Sequence, residues 1–392
     1  MRFVGFLSVA LTAGLLLSGC GTIRGTLNGV GLDNSPPPSP LVKCRSQIPV
    51  KGVWMVSAGR SIGSDCLKLG PELADNMIFT ADPKGGVLAS NPRNGKRIWW
   101  VNTKAKITSG PTVGEGIVVV GTGDGKVIAL RENNGAPLWH ADVPNAVLAA
   151  PQIGQGRVIV KTVDGKLIAL SVQSGQQLWI YDHGAPMLVL RSADAPQIYG
   201  NKVIAGFSDG KLAAFSLSQG QLLWEQSVAT PQGVSQVEQL VDMATDPLIA
   251  NGVVYIVSYQ GGVTALAANS GQILWQQDLS CSGYAGAVLS PRSLFITDSQ
   301  DQIWAFDRQS GDLIWQQNQL AYRHLSAPTL LGGTLVVGDA EGYLHWLSQQ
   351  DGHYLARRLA EGHVKILAAP AVAGNIMYVA SANGNLSAWR VG

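Results

Sequence analysis

The feature that most constrains the fold is a repeat that recurs along most of the chain. A proline, a glycine and a tryptophan follow one another at intervals of 14 positions, as in Pro111, Gly125 and Trp139. Four more copies keep the full frame: Pro71-Gly85-Trp99, Pro151-Gly165-Trp179, Pro196-Gly210-Trp224 and Pro247-Gly261-Trp275. A rigid frame with variable joins indicates stacked copies of one structural unit.

Three further copies are degenerate, and the last one is incomplete. They are Ala287-Asp301-Trp315, Pro328-Gly342-Ala356 and Pro370-Gly384, the last of which stops at Gly392 before its final strand. The segment from Val50 to Trp54 at the other end of the chain is expected to supply that strand. Pairing the first strand into the last unit closes a ring and removes exposed sheet edges.

Each unit is predicted to contain four short strands. In one unit the apolar run 116–121 precedes Asp124-Gly125, a strong hairpin signal, and Asp164-Gly165 and Asp209-Gly210 repeat it. Four strands in each such unit are typical of propeller blades. We therefore predict an all-β fold over residues 50–392: an eight-bladed β-propeller of four-stranded antiparallel blades, closed when the N-terminal strand joins the C-terminal blade. A solenoid is the alternative, but its ends stay open.

The N-terminus predicts export. Arg2 precedes an apolar run over 3–17, and small residues lead to Cys20, so residues 1–19 read as a signal peptide. The run is about 15 residues, whereas a transmembrane helix needs roughly 20. The sequence from Leu17 to Cys20 resembles a bacterial lipobox, which implies lipidation of Cys20 and a location on the periplasmic face of the outer membrane.

Residues 20–49 are rich in Gly, Ser, Asn and Pro, so they are expected to form a flexible linker after the lipidated cysteine. In an oxidising compartment Cys44 and Cys66 could form a disulfide, which would leave Cys281 unpaired. Other pairings stay open, because spacing alone does not decide connectivity.

Composition argues against several functional classes. Charged residues make up 14% of the chain, the formal net charge is +2, and the basic residues are scattered, so no nucleic-acid partner is expected. The sequence contains no HExxH, Walker or CxxC pattern. We therefore predict no catalytic residue, cofactor or metal site. The recurring tryptophans are expected to pack between blades.

Two resemblances to known protein families say more about the fold and the function. The repeated pattern Ala-Leu-x4-Gly-x3-Trp, as in Ala129, Leu130, Gly135 and Trp139, resembles the repeat of pyrroloquinoline-quinone dehydrogenases, which have eight blades. The chain lacks adjacent cysteines and the long inserts of those enzymes. The lipobox, the linker, the eight repeats and the stretch 336–346 (VVGDAEGYLHW) together resemble the BamB family of outer-membrane assembly factors.

This second resemblance implies a function. It implies a non-catalytic lipoprotein subunit of the β-barrel assembly complex, which docks on the periplasmic domains of BamA and aids insertion of outer-membrane barrels. Unfolded barrel proteins are a further expected partner. The alternatives are a general periplasmic scaffold or a polysaccharide-binding propeller and, less favoured, a quinone-dependent dehydrogenase.

Two consecutive joins between repeats are long. Trp179 and Pro196 are 17 positions apart, and Trp224 and Pro247 are 23 apart. Because joins between blades emerge on one face of the ring, residues 184–195 and 229–246 are expected to form one docking patch. By resemblance, the patch contains a Leu-x-Leu-Arg motif and an acidic residue that contact BamA. The matching residues are Leu188, Leu190, Arg191 and Asp242, whereas Ala244 stands where the family has a second acid.

Overall fold

A computed structural model describes residues 36–61, 67, 69–184, 193–230, 241–259, 261–279 and 284–392. These residues form strands, turns and bends, and none of them forms a helix. Within these ranges, therefore, no helical segment has the length and apolarity to span a bilayer. Residues Pro38–Gly392 form one compact unit. The predicted signal peptide and Cys20 lie outside the described residues.

The strands are grouped into eight antiparallel sheets, which we number as blades 1 to 8. The first strand, β1 (Val50–Ser57), belongs to blade 8. Blades 1 to 4 follow it in chain order. Their strands are β2 (Glu72–Ala74), β3 (Met77–Ala81), β4 (Gly86–Ser90) and β5 (Arg97–Asn102); β6 (Ile107–Gly114), β7 (Ile117–Thr122), β8 (Lys126–Arg131) and β9 (Pro137–Asp142); β10 (Gln152–Gly154), β11 (Arg157–Lys161), β12 (Lys166–Ser171) and β13 (Gln177–Asp182); and β14 (Gln197–Tyr199), β15 (Lys202–Gly206), β16 (Lys211–Ser216) and β17 (Leu222–Ser227).

Blades 5 to 8 continue the pattern with one variation. In blade 5 the innermost strand is broken in two, and both pieces pair with the same neighbour. The strands are β18 (Asp242–Met243), β19 (Leu248–Ala250), β20 (Val253–Tyr259), β21 (Gly262–Ala267) and β22 (Ile273–Gln277); β23 (Tyr284–Leu289), β24 (Ser293–Asp298), β25 (Ile303–Asp307) and β26 (Leu313–Gln317); β27 (Thr329–Leu331), β28 (Thr334–Gly338), β29 (Tyr343–Ser348) and β30 (Tyr354–Leu359); and β31 (Ala371–Ala373), β32 (Ile376–Ala380) and β33 (Asn385–Val391).

The ring closes between the two ends of the chain. Strand β1 pairs with β33 from Val50↔Val391 to Ser57↔Asn385, which makes it the outermost strand of blade 8. The hydrophobic core is correspondingly divided, with one buried cluster between each pair of neighbouring blades. The cluster that closes the ring packs Ile78 of blade 1 against Tyr378 of blade 8. The predicted eight-bladed propeller with a split last blade is confirmed.

The recurring tryptophans anchor each blade on the next. Trp99 of blade 1 donates from Nε1 to the carbonyl oxygen of Glu132 in blade 2 at 2.8 Å. Its ring lies against Gly135, where φ is +71° and an added Cβ would approach the ring to 2.6 Å. Only glycine accommodates both this conformation and this contact without strain. The same tryptophan–glycine pair joins other blades: Trp54–Gly95, Trp139–Gly175, Trp179–Gly220, Trp224–Gly271, Trp275–Gly311 and Trp315–Gly352.

One face of the ring carries all the joins between blades. The join after each blade lies beside the turn between that blade's second and third strands, because both follow the same end of the sheet. In blade 2, Val143 and Val147 of the join donate from their backbone N–H groups to Gly125 and Thr122 of the turn at 2.8 and 3.0 Å. We call the surface formed by the joins and these turns, such as 122–125 and 339–342, the join face.

The segment 38–49 differs from the prediction. It was expected to belong to a flexible linker, but it packs on blade 7, where the backbone N–H of Gln47 donates to Leu355 O at 2.7 Å. The propeller unit therefore begins at Pro38 rather than at residue 50. Cys44 in this segment is half-buried. Cys66 and Cys281 lie outside the described residues, so the Cys44–Cys66 disulfide stays a prediction.

Candidate partner-docking site

Most of the predicted docking residues fall just outside the described ranges. Leu188, Leu190 and Arg191 lie in the gap over 185–192, and the second long join has a gap over 231–240. The described flanks of both joins, together with Asp242, define the base from which these loops leave the propeller. The geometry of that base follows from a small set of buried polar contacts.

The first of the two long joins, between blades 3 and 4, begins at His183, which is held against blade 4. Its ring stacks on Phe207 with 3.9 Å between ring centroids and an interplanar angle of 17°. Its Nε2 lies 2.9 Å from Oδ2 of Asp209. Burial raises the pKa of Asp209, but the hydrogen bond and charge of His183, followed by the charge of Lys211, lower it below its ordinary value. The carboxylate is therefore ionised at neutral pH and holds the start of the join.

The first join ends at a buried ion pair. Lys161, the last residue of β11 in blade 3, places Nζ 2.6 Å from Oδ1 of Asp194. The side chains are only 7% and 1% exposed. Removing two charges from water costs several kcal/mol per ion, and close pairing in good geometry is needed to offset that cost. A pair this buried holds Asp194 at one position on the propeller.

The two long joins are tied to each other. Oδ1 of Asp246, in the second join, accepts a hydrogen bond from the backbone N–H of Ala195, in the first, at 2.6 Å. Met243 of β18 is 1% exposed and lies so close to Gly206 that no side chain fits there. The described ends of the two joins are therefore adjacent on the join face. This adjacency supports the expectation that they form one patch.

Asp242 does not occupy the exposed position expected of an acidic loop residue. It begins β18, pairs with Tyr259 of β20, and is 1% exposed. Its Oδ1 accepts a hydrogen bond from the backbone N–H of Met243 at 2.8 Å. The carboxylate is buried in blade 5 rather than exposed on its surface. A direct contact between Asp242 and a partner is not tested by this structure and stays a prediction.

Sequence reasoning missed Lys161, Asp194 and the role of Asp246 in joining the two long joins. The sequence did contain a signal for Lys161, because this residue ends an apolar strand. The same position of the repeat holds a small residue in other units, namely Ala81, Gly121 and Gly206. A lysine at a core position implies a buried acidic partner. The identity of that partner depends on the path of the join, which the repeat does not specify.

A second candidate surface follows the rim of the ring. Large apolar side chains are exposed along the outermost strand of every blade, with Leu178 and Trp100 each 47% exposed and Leu274 51% exposed. The others are Val53, Met55, Ile98, Leu138, Ile180, Leu222, Leu223, Leu313, Ile314 and Leu359. An edge strand with exposed apolar side chains offers both hydrogen bonds and apolar contacts to another strand.

Comparison with known proteins assigns the chain to a family. Residues 83–317 match the sequence profile of the family described as "Outer membrane protein assembly factor BamB". A protein of that name from Legionella pneumophila (strain Paris) is 42% identical over 359 residues, which cover 91% of this chain and 92% of the relative. The chain belongs to the BamB family. The crystal structure of BamB from Moraxella catarrhalis has a TM-score of 0.77 and 26% identity, and the match covers 87% of this chain and all of that one.

The propeller also resembles an enzyme outside the BamB family. Quinohemoprotein alcohol dehydrogenase from Comamonas testosteroni has a TM-score of 0.68 at 14% identity, and the match covers 87% of this chain and 76% of that one. At this identity the likeness shows the fold alone. Within the described ranges, no three His, Cys, Asp or Glu side chains converge to hold a metal ion.

A small cavity lies between blades 8 and 1. Its volume is about 40 Å³, and Asp82, Thr80 and Ser381 are among the residues that line it. A space of this size holds a few water molecules, each of which needs roughly 10–15 Å³ by the same measure.

Proposed function

We propose that this BamB-family protein is a non-catalytic lipoprotein subunit of the outer-membrane β-barrel assembly complex. Lipidation of Cys20 would anchor it on the periplasmic face of the outer membrane. The joins between blades 3 and 4 and between blades 4 and 5 would dock on the periplasmic domains of BamA. The observation that carries the docking proposal is the buried base beneath these joins, in which Lys161 pairs with Asp194 and Asp246 binds the backbone of Ala195.

A buried base suits a docking role for a physical reason. Loops whose ends are held before binding lose less conformational entropy when a partner arrives, so more of the contact energy appears as affinity. Leu188, Leu190 and Arg191 lie only a few positions before Asp194 in the chain. Leucine and arginine side chains on such a loop suit an interface with an apolar centre and an ionic contact.

The outer rim supports a second, separable role. Incoming barrel proteins expose unpaired strands with alternating apolar side chains before they insert. Outside blade 7, the outermost strands of the blades end their sheets beside exposed leucines and isoleucines. Such an edge can add a strand by β-augmentation, in which backbone hydrogen bonds supply affinity without a strict sequence requirement.

The docking proposal is tested by capture of the periplasmic region of BamA on the unlipidated chain 21–392. Arg191→Glu is the test variant, and Arg292→Glu is the matched control because the Arg292 side chain is 85% exposed in blade 6. The proposal expects wild-type and control protein to capture BamA and Arg191→Glu to lose capture. Capture that survives Arg191→Glu would move the site, and absence of capture by folded wild-type protein would favour a general scaffold.

The remaining alternatives make different predictions. A polysaccharide-binding propeller would bind cell-envelope glycans and show no affinity for BamA. A quinone-dependent dehydrogenase would bind pyrroloquinoline quinone in a calcium-dependent manner. Equilibrium dialysis with that quinone, with and without calcium, separates this alternative from the assembly role.

A further inference from the structure

Blade 7 contains a buried polar network that the docking site does not use. At its centre is Asp339, which is fully buried in the turn between β28 and β29. Its Oδ2 accepts hydrogen bonds from Nε of Arg323 at 2.8 Å and from Nε2 of His345 at 3.0 Å. Arg323 is 3% exposed and also pairs with Glu341. These residues include part of the stretch 336–346 on which the resemblance to the BamB family rests.

The network continues through His345 to a second arginine. Nδ1 of His345 accepts a hydrogen bond from Nε of Arg357 at 3.2 Å, and the Arg357 guanidinium lies 5.1 Å from the centre of the Tyr354 ring. Burial lowers the pKa of His345, and the opposing effect of Asp339 does not restore it. The ring is therefore neutral at pH 7, with a proton on Nε2 and a free lone pair on Nδ1, as both contacts require.

Both ends of the network reach the N-terminal segment. Arg323 donates from Nη1 to the carbonyl oxygen of Ser39 at 3.0 Å. Arg357 donates from Nη1 to the carbonyl oxygen of Val42 at 2.8 Å. A guanidinium has five donors and no acceptor, and a buried donor without a partner costs roughly 1–3 kcal/mol. Each of the two carbonyl groups therefore satisfies one donor of an arginine in the network.

Other contacts hold the rest of the segment along blade 7. The backbone N–H of Ser39 donates to Ala321 O at 3.0 Å, and that of Gln47 donates to Leu355 O in β30. Leu41 packs against the core between blades 6 and 7, and Ile48 packs against the core between blades 7 and 8. The segment is thus held by backbone hydrogen bonds, apolar burial and hydrogen bonds from two arginine side chains of blade 7 and the join before it.

The direction of the segment is also defined. Ser39 lies beside Arg323 of a join and near Asp339 of a turn, both of which belong to the join face. Gln47 lies at the start of β30, at the opposite face, where Pro49 leads into β1. The chain therefore enters the propeller at the join face and crosses the outer edge of blade 7 before the first strand begins.

We propose that blade 7 clamps residues 38–49, which we call the exit segment, so that the lipid-anchored tether leaves the propeller at one point, on the join face beside blade 7. The same contacts close the outer edge of blade 7 to any other strand, whereas the other blades keep their edges. The part concerning the anchor rests on the proposed lipidation of Cys20. The chain between Cys20 and Ser39 can span at most roughly 65 Å, so the clamp limits how far the join face beside blade 7 can lie from the membrane.

Hydrogen exchange of the mature chain tests the clamp itself. In wild-type protein we expect the amides of Ser39 and Gln47 to exchange slowly. Arg323→Met combined with Arg357→Met should accelerate their exchange by about tenfold or more, because the segment opens locally. Arg292→Met is the matched control and should leave both amides protected. Unchanged protection in the double variant, or unprotected amides in the wild type, would overturn the clamp.

A second variant covers the case in which the double variant does not fold. Gln47→Pro removes the N–H that pairs with Leu355 and leaves the side chains of the network in place. It should accelerate exchange over residues 39–46 while amides of β29 keep their protection. Exchange over 39–46 that stays at the wild-type rate in this folded variant would show that the β30 pairing does not hold the segment.

Energy transfer from the lipidated protein to an acceptor in phosphatidylethanolamine–phosphatidylglycerol vesicles tests the exit point. Cys44, Cys66 and Cys281 are first replaced by serine, and a dye is attached through Leu359→Cys in blade 7 or Asp182→Cys at the equivalent position in blade 3. Transfer should be stronger from blade 7, and the two Arg→Met substitutions should reduce the difference. Equal transfer in the protein with an intact clamp would overturn the exit point.

These outcomes are independent of the docking proposal. BamA capture uses the unlipidated chain and residues of blades 3 to 5, none of which contacts the exit segment in the described structure. If BamA capture is lost while the exit segment stays protected from hydrogen exchange, only the docking proposal is contradicted. If the exit segment is unprotected while BamA capture is intact, only the clamp is contradicted.

Discussion

Adjacent residues of one strand can have opposite roles in this propeller. In β5, Trp99 is 8% exposed and bonds to the next blade, whereas its neighbour Trp100 is 47% exposed on the rim. The difference follows from the alternation of side chains along a strand, because successive residues point to opposite sides. The two tryptophans therefore provide a matched pair for measuring what a blade contact contributes.

We expect Trp99→Ala to lower the free energy of unfolding by about 3–5 kcal/mol, because it removes a large buried ring and leaves Glu132 O without its donor. Trp100→Ala should change it by less than about 1 kcal/mol, because that ring is largely solvated. Urea unfolding followed by circular dichroism gives both values. Equal losses in the two variants would show that the ring contact with Gly135 contributes little.

The burial of Glu72 in β2 predicts that the stability of the folded protein depends on pH. Burial raises the pKa of this carboxyl to about 7, above its ordinary value of 4.5. Between these values the folded protein keeps a proton that the unfolded chain has lost, so Glu72 makes the folded state less stable as pH rises from about 4.5 to about 7. Glu72→Gln should therefore raise the melting temperature at pH 8 and change it little at pH 4. An equal shift at both pH values would contradict this account.

At the scale of elements, join length decides how far a blade departs from the repeat. Counted from Trp224 to Pro247 in the repeat frame, the join before blade 5 is the longest, at 23 positions, and it is in blade 5 that the innermost strand is split into β18 and β19. The residues after this join are used to brace the preceding one, through Asp246 and Ala195. The additional residues thus form part of the base beneath the docking loops, and the innermost strand of blade 5 is interrupted there.

The Lys161–Asp194 pair predicts that stability and docking can be separated. Lys161→Met leaves Asp194 buried without its cation, so it should destabilise the protein by about 3–5 kcal/mol. Lys161→Met combined with Asp194→Leu should recover most of that stability, because no unpaired charge remains. We expect the double variant still to bind BamA more weakly than wild type, since the end of the first join is no longer held.

Urea unfolding and BamA titration of the same samples check both parts of this prediction. The surface pair Lys126 and Asp124, whose atoms lie 3.7 Å apart and whose side chains are 46% and 62% exposed, is the control. Replacing it should affect neither property. Full BamA affinity in the stable double variant would remove Lys161 and Asp194 from the docking role.

At the scale of the whole molecule, stability depends on closing the ring. Each blade buries its apolar faces only against its two neighbours, so an open ring would expose two such faces. Strand β1 prevents this by completing blade 8 and by placing Trp54 against Gly95 of blade 1, where Trp54 also donates to Pro92 O at 3.1 Å. This contact repeats the one that the other anchoring tryptophans make.

Removal of β1 should therefore affect the entire propeller. A chain that begins at residue 58 should lose cooperative unfolding and self-associate, because β33 becomes an exposed edge beside an open apolar face. A chain that begins at residue 50 keeps β1 and lacks only the exit segment, so it should remain a folded monomer. Analytical ultracentrifugation and thermal unfolding distinguish the two. A monomeric, cooperatively folded chain from residue 58 would show that closure is dispensable.

The sequence by itself determined the number of blades, the four strands of each blade, the split last blade and the tryptophan anchors. These features depend on contacts within a repeat or between successive repeats, so a fixed spacing such as Pro111, Gly125 and Trp139 is enough to encode them. The spacing also predicted that the long joins share one face, because the path of an antiparallel blade sets the end at which each join leaves.

Only the tertiary structure decided the burial of Asp242, the Lys161–Asp194 pair and the binding of residues 38–49 to blade 7. Each depends on residues that the repeat does not relate to one another, and Ser39 meets Arg323 only because the ring brings the two ends of the chain together. A segment rich in proline and serine carries no periodic signal, so its local sequence predicts a linker. Hydrogen bonds from buried Arg323 and half-buried Arg357, and the apolar contacts of Leu41 and Ile48, supply the free energy that holds it in place.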